Sequence, residues 1–182
     1  SNDAEALVNA ANSYFSMKEI AKANELLNQA EAIDATEPNI YNTKGLIAME
    51  VGDLDKAHEW FNQALKMDPG NAYYHNNRGF LNLEINNLDE AAEDIRRAII
   101  GAPQNGWAYR NRGILFFKRE RYDDAVRNFE MAFKLDEQIP FLYYYWAKTL
   151  AAQGLKAQAC EKLSSESETA DYIESFKRQI CK

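Results

Sequence analysis

Ala23, Ala57, Ala91, Ala125 and Ala159 recur every 34 residues, five times, with no slip in register. In a chain with helical patterning, that period specifies a stack of two-helix units instead of one folded-up core. Neighbouring columns keep the step. Four residues beyond each alanine stands a bulky apolar residue: Leu27, Phe61, Ile95, Phe129 and Leu163. Three further on come Ala30, Ala64, Ala98 and Ala132, with Glu166 breaking the column in the fifth unit. Twelve residues before each leading alanine lie Ala11, Gly45, Gly79, Gly113 and Ala147, and four before those lie Leu7, Tyr41, His75, Tyr109 and Tyr143. Steps of three and four mark one helix face. Large and small residues in alternation let two helices approach closely and interlock.

A short polar turn separates the halves of each unit, clearest at Val51-Gly52-Asp53-Leu54-Asp55 and Asn86-Asn87-Leu88-Asp89-Glu90. Gly and Asn tolerate the left-handed conformation that ends a helix, and the following Asp can cap the next one. Units close at Met67-Asp68-Pro69-Gly70 and Ala102-Pro103, where proline stops the helix.

These columns resemble the tetratricopeptide repeat family. They do so through Tyr41, Gly45, Ala57, Phe61, Ala64 and Pro69 in the second unit, and Gly79, Ala91, Ile95, Ala98 and Pro103 in the third. The fourth unit adds Tyr109, Gly113, Phe116, Ala125, Phe129 and Ala132. The resemblance implies an all-α, right-handed superhelix, an α-α solenoid, in one domain over residues 1–182. Its repeats would run about 4–37, 38–71, 72–105, 106–139 and 140–166, with a capping helix at about 168–181. There are departures. Glu137 replaces the closing proline of the fourth unit, with Pro140 a little later. Lys44, Arg78 and Arg112 stand where the family usually has leucine, and Asn82 where it has tyrosine. Such polar residues imply a less apolar seam, or long side chains snorkelling outward.

Composition narrows the function classes. With 46% hydrophobic residues the chain can bury a core, and no stretch approaches the ~20 apolar residues of a membrane span. Ser1-Asn2-Asp3 lacks a methionine, shows no signal peptide and reads as a processed or truncated start. The net charge of −7 is uneven. Residues 1–71 hold 5 Lys+Arg against 12 Asp+Glu, residues 72–105 hold 3 against 5, and residues 106–182 hold 13 against 11. This argues against nucleic-acid binding, which wants a continuous basic surface, and allows oriented docking of a polar partner.

In the tail, a second helix of the fifth unit is expected from near Lys156 to Ser164-Ser165-Glu166-Ser167, then a final helix from Glu168 to Ile180. Tyr172, Ile173, Phe176 and Ile180 share one face of it, and Ser165 with Glu168 has capping-box spacing. Such a helix would cover the last apolar face of a repeat stack. Two antiparallel helices bring Cys160 and Cys181 to the same end. A disulfide is geometrically open there if the Cα atoms come within about 7 Å; the alternative is two thiols in a cytoplasmic protein. The tail also resembles exported bacterial repeat proteins with a cysteine pair in the cap, which implies an oxidising, periplasmic or cell-envelope setting.

No constellation calls for an enzyme, a metal or a cofactor. His58 and His75 lie in different helices, and His75 falls in a packing column. A zinc site of usual ligand count and spacing is not visible. Acid pairs such as Asp123-Asp124 sit in turns, where they cap helices. By resemblance, the first helix of each unit lines a concave groove. Its residues would include Asn12, Phe15, Asn42, Leu46, Met49, Asn76, Phe80, Leu83, Trp107, Arg110, Ile114, Phe117, Tyr144 and Lys148. Aromatic and aliphatic side chains mixed with amides suit an extended peptide or helix, and rigid aromatics and Arg are the usual hot-spot types. Asn77 and Asn111 match the amides of a chaperone-tail clamp, but Val8, Asn42 and Asn76 stand where its first lysine would. A basic-aromatic run from Arg110 to Tyr122 is interrupted by Glu120 and reads as a solvated helix end. The expected function is a non-catalytic protein-interaction scaffold. The alternative is a structural subunit that self-associates, for example into a homodimer, through Phe141–Trp146 or an end of the stack.

Overall fold

The computed structural model describes residues 3–181, so the reading of Ser1 and Asn2 lies outside the described residues. Among the described residues there are eleven α-helices and no strand. The chain divides into two compact units, one up to Gly101 and one from Ala102, with the division between the third and fourth repeats.

The first unit holds α1 (Ala4–Ser16), α2 (Ile20–Ile33), α3 (Pro38–Glu50), α4 (Leu54–Met67), α5 (Ala72–Glu84) and α6 (Leu88–Gly101). They pack as hairpins α1–α2, α3–α4 and α5–α6, with α1 against α3 and α3 against α5. The second unit holds α7 (Gly106–Lys118), α8 (Tyr122–Leu135), α9 (Leu142–Ala152), α10 (Lys156–Ser164) and α11 (Asp171–Ile180). Here the hairpins are α7–α8 and α9–α10, with α11 against α10. No helix among the described residues is long and apolar enough to cross a membrane.

Helix starts and stops follow the 34-residue period through specific side chains. Asp3, Glu37, Asn71 and Asn105 occupy the same position in four units, and each accepts a hydrogen bond from a backbone N–H of the helix that follows. The hairpin turns repeat as closely. Lys18, Gly52, Asn86, Glu120 and Gly154 all adopt positive φ, from 58° to 82°. In each case the next residue's N–H bonds back to a carbonyl five residues earlier, as in Asp53 N to Ala48 O and Arg121 N to Phe116 O, which closes a Schellman turn. Only two of the five are glycine, so Lys18 and Glu120 hold a conformation that disfavours a Cβ.

Inside each hairpin the small column meets the bulky one. The five leading alanines are fully buried, at 0% exposure. A Cβ added at Gly45 would lie 2.6 Å from Phe61 Cε1, one at Gly113 would lie closer still to Phe129, and one at Gly79 would lie 3.1 Å from Ile95 Cγ1. The units that carry Ala instead, at Ala11 and Ala147, carry Leu27 and Leu163 in the bulky column. The volume of one column therefore tracks the other, as close packing demands.

The fifth unit departs at its start. α9 begins after Phe141, which has φ 60° and no side-chain cap. Glu166 supplies one from 22 residues away: its carboxylate accepts from Tyr144 N at 2.9 Å and from Glu168 N at 3.1 Å. The expected Ser165–Glu168 capping box does not form, and α11 starts at Asp171, three residues later than the expected Glu168. The Glu166 carboxylate has taken the Glu168 N–H that such a box would have left to Ser165. α11 buries Ile173 and is tied to α10 by the Cys160–Cys181 disulfide, whose Cα atoms are 5.5 Å apart. In the chain-entropy account, closing a loop of this length contributes about 3 kcal/mol.

Candidate functional site

In the first unit, α1, α3 and α5 set their inner faces side by side. Thr43 donates to Asn12 Oδ1 at 2.8 Å, linking α3 to α1. Asn77 Nδ2 donates to Asn42 Oδ1 at 2.9 Å, linking α5 to α3, and Asn76 Nδ2 donates weakly to Asn77 Oδ1 at 3.4 Å. These amides bond one another first, and their remaining donors and acceptors face outward chemistry only where exposure allows. Asn12, Phe15, Asn42, Leu46, Met49 and Phe80 are half-buried. Asn76 is buried, and Leu83 is fully so, which makes Leu83 a packing residue rather than a groove contact.

The second unit distributes its residues differently. Trp107 is 41% exposed, and its ring lies 4.8 Å from the Arg110 guanidinium. Arg110 itself is buried; it donates to Pro140 O at 3.0 Å and to Asn111 Oδ1 at 2.8 Å. It therefore holds Trp107 and the entry to α9 in place, and it does not present a charge to solvent. Ile114 is fully buried and, like Leu83, serves packing. Phe117, Tyr144 and Lys148 come together: Lys148 Nζ lies 5.3 Å from the Phe117 ring, 5.3 Å from Tyr144 and 5.8 Å from Tyr145. Tyr144 also packs against Tyr172 at 5.3 Å and Phe176 at 5.9 Å, and burial pushes its phenol pKa up. The basic-aromatic run is spent internally as well, with Arg121 over Phe116 at 4.5 Å and bonded to Asp124.

The polar residues at the usual leucine column do not snorkel outward. They turn into the hairpin seam, where each meets a residue of the second helix. Lys44 lies 5.1 Å from the Trp60 ring and pairs with Glu31, whose carboxyl it holds below the usual range. Arg78 grips buried Asp94 with two hydrogen bonds of 2.8 Å. Arg112 donates to Asn128 and stacks 4.9 Å from Tyr109. His75 bridges Asp94 Oδ1 at 2.8 Å and Pro69 O at 3.0 Å, so it is a packed, fully engaged ring. Asn82 Nδ2 completes the set, 3.3 Å from Asp94, and its buried Oδ1 has no hydrogen-bond partner among the described residues. No group of three or more His, Cys, Asp or Glu side chains among the described residues could hold a metal ion.

Sequence reasoning missed two contributors. Tyr145 completes the ring cage around Lys148, and Glu166 caps α9. The signal for Glu166 was present: a carboxylate breaking a column of alanines asks where its charge goes.

Consecutive antiparallel helix pairs with small-residue seams and aromatic-amide inner faces define an all-α repeat scaffold. Residues 42–106 match the tetratricopeptide repeat family model. No curated protein matches it in sequence. Among solved structures it is similar to PilF of Pseudomonas aeruginosa, with TM-score 0.76 and 18% identity over 97% of this chain and 86% of that one. It is similar to PilW, a widely conserved type IV pilus biogenesis factor, with TM-score 0.78 and 21% identity over 89% and 75%. It is also similar to YrrB, a tetratricopeptide repeat protein with an unusual peptide-binding site, with TM-score 0.61 and 20% identity over 90% and 84%. At these identities the likeness speaks for the fold alone, an all-α helical solenoid. The tetratricopeptide repeat match over residues 42–106 supports a protein-interaction or scaffold role.

Proposed function

We propose that the chain is a non-catalytic adaptor that binds an extended peptide or protein segment on the inner faces of its first helices. One observation carries this reading. In the first unit, three parallel helices present a row of half-buried aromatic, thioether and amide side chains, held in register by hydrogen bonds from α3 to α1 and from α5 to α3. Rings and thioethers offer apolar area at low entropic cost, and the amides can bond a peptide backbone. A peptide-binding site in YrrB, on a similar fold, is consistent with it. The Cys160–Cys181 bond favours an oxidising compartment for this work.

Purified protein probed on an array of overlapping unstructured peptides tests the proposal. Peptides selected by the unaltered chain are expected to bind Phe80→Ala and Asn42→Ala about tenfold more weakly. Circular dichroism of each variant establishes that it remains folded. Equal affinity for folded variants would remove the inner face as the site.

A further inference from the structure

A second surface lies on the first unit, away from the inner faces. Met17, Val51 and Ile85 occupy the same position in three successive repeats, at the C-terminal caps of α1, α3 and α5. They are exposed by 58%, 62% and 44%. Single exposed apolar residues are ordinary. Three at one repeat position are not scattered, because parallel helices of equal length in adjacent hairpins end at the same edge. The Lys18–Glu50 ion pair of 2.6 Å joins the first of these turns to the second. In the second unit the same position holds Arg119 and Gln153, so the row is confined to the first.

The charge around the row is net acidic. Within the turns 16–22, 50–56 and 84–90 there are Lys18, Lys22 and Lys56 against Glu19, Glu50, Asp53, Asp55, Glu84, Asp89 and Glu90, that is 3 positive against 7 negative. The third turn carries acids alone. The unit as a whole has 8 Lys+Arg against 17 Asp+Glu, a charge of −9. Such a surface repels nucleic acid and anionic membrane, and it attracts cations.

We infer that this turn edge is a docking surface for a basic amphipathic protein segment, one whose apolar residues cover Met17, Val51 and Ile85 while its Lys or Arg residues meet the flanking acids. Apolar contact sets the position, and charge sets the approach and orientation. The surface is separate from the inner-face groove, and its occupant has the opposite charge to the unit that carries it.

The test uses the whole purified chain and three fluorescent synthetic peptides: alternating Leu/Lys, alternating Ser/Lys and alternating Leu/Glu. Fluorescence anisotropy is expected to show Leu/Lys binding that weakens as salt rises, with Ser/Lys at least about tenfold weaker and Leu/Glu absent. The double variant Val51→Ser/Ile85→Ser should weaken Leu/Lys binding about tenfold, while Ile100→Ser, an exposed apolar residue at the end of α6, should not change it. Three results would overturn the inference: Leu/Lys affinity unaltered in the double variant, Ser/Lys binding as tightly as Leu/Lys, or sedimentation showing that the double variant dissociates a self-associated form of the free chain. The last would assign the edge to a second copy.

Discussion

Lys162 Nζ sits 4.1 Å from the centre of the Trp146 ring, and three repeat periods earlier Lys44 sits 5.1 Å from Trp60. The two pairs occupy the same two columns with the partners exchanged. In the second repeat the cation is on the first helix and the indole on the second; in the fifth the order is reversed. In these two repeats the seam keeps a cation–ring contact whichever helix carries the ring, while in the third and fourth the same columns hold Arg78–Asp94 and Arg112–Asn128. Lys162→Met keeps the stem and removes the charge, and is expected to cost about 0.5–1 kcal/mol, read as a thermal midpoint a few degrees lower.

The glycine column is set by the ring it faces. Gly113→Ala drives a methyl into Phe129 and should destabilise by about 1–3 kcal/mol, while Gly79→Ala, facing Ile95 at 3.1 Å, should cost less. Gly113→Ala/Phe129→Leu reproduces the pairing found at Ala11/Leu27 and is expected to lose less than Gly113→Ala alone. Urea midpoints rank the three variants. A double variant no better than the single would show that the match of volumes is incidental.

Asp94 is buried and accepts from Arg78, His75 and Asn82. Asp94→Asn removes the charge that three donors converge on, and should cost about 3 kcal/mol by chemical denaturation. Glu93 next to it provides the contrast. Arg96 and Arg97 hold its carboxyl down at about 2, but the group is solvent-exposed, so Glu93→Gln should leave the midpoint nearly unchanged.

Glu120 spends a residue with a Cβ on a turn that needs positive φ. Gly52 and Gly154 fill the same position without strain. Glu120→Gly should stabilise the chain by about 1 kcal/mol, because the relief of the left-handed conformation outweighs the entropy gained by the unfolded chain. A fall in the thermal midpoint would contradict this.

Burial, reinforced by the nearby charges of Glu37 and Asp68, pushes the Tyr74 phenol up to about 12. Its hydroxyl donates to Asn39 at 2.7 Å. The unfolded chain ionises this tyrosine near its ordinary value of about 10, so the stabilisation is complete below that pH and is lost as pH rises from about 10 to 12. Alkaline unfolding followed by circular dichroism should begin at higher pH in Tyr74→Phe, which has no phenol to ionise.

The repeat register was legible because it is written in volume. Alanines, glycines and rings at fixed spacing leave one way to pack two helices, and their burial follows from the period. The turns were legible at Gly52 and Asn86 and illegible at Lys18 and Glu120, where the backbone hydrogen bonds that close each hairpin hold a conformation that the residue itself does not favour. The inner faces were legible as a set. The state of each member was not: Arg110 reads as an exposed hot spot but is buried against Pro140, and Leu83 and Ile114 read as contacts but are core. Helix phase places a residue on a face without saying how far the next helix reaches over it.

What the sequence by itself determined is therefore the scaffold: five helix pairs in one register, their closing contacts, and a tail whose two cysteines could meet. Only the tertiary structure decided which polar residues are spent internally. Arg78 found Asp94, Lys44 found Trp60, and Glu166 left its column to cap α9 from 22 residues away. A short-range period fixes backbone geometry through local sterics, whereas a long flexible charged side chain settles by partners that are close in space and distant in sequence.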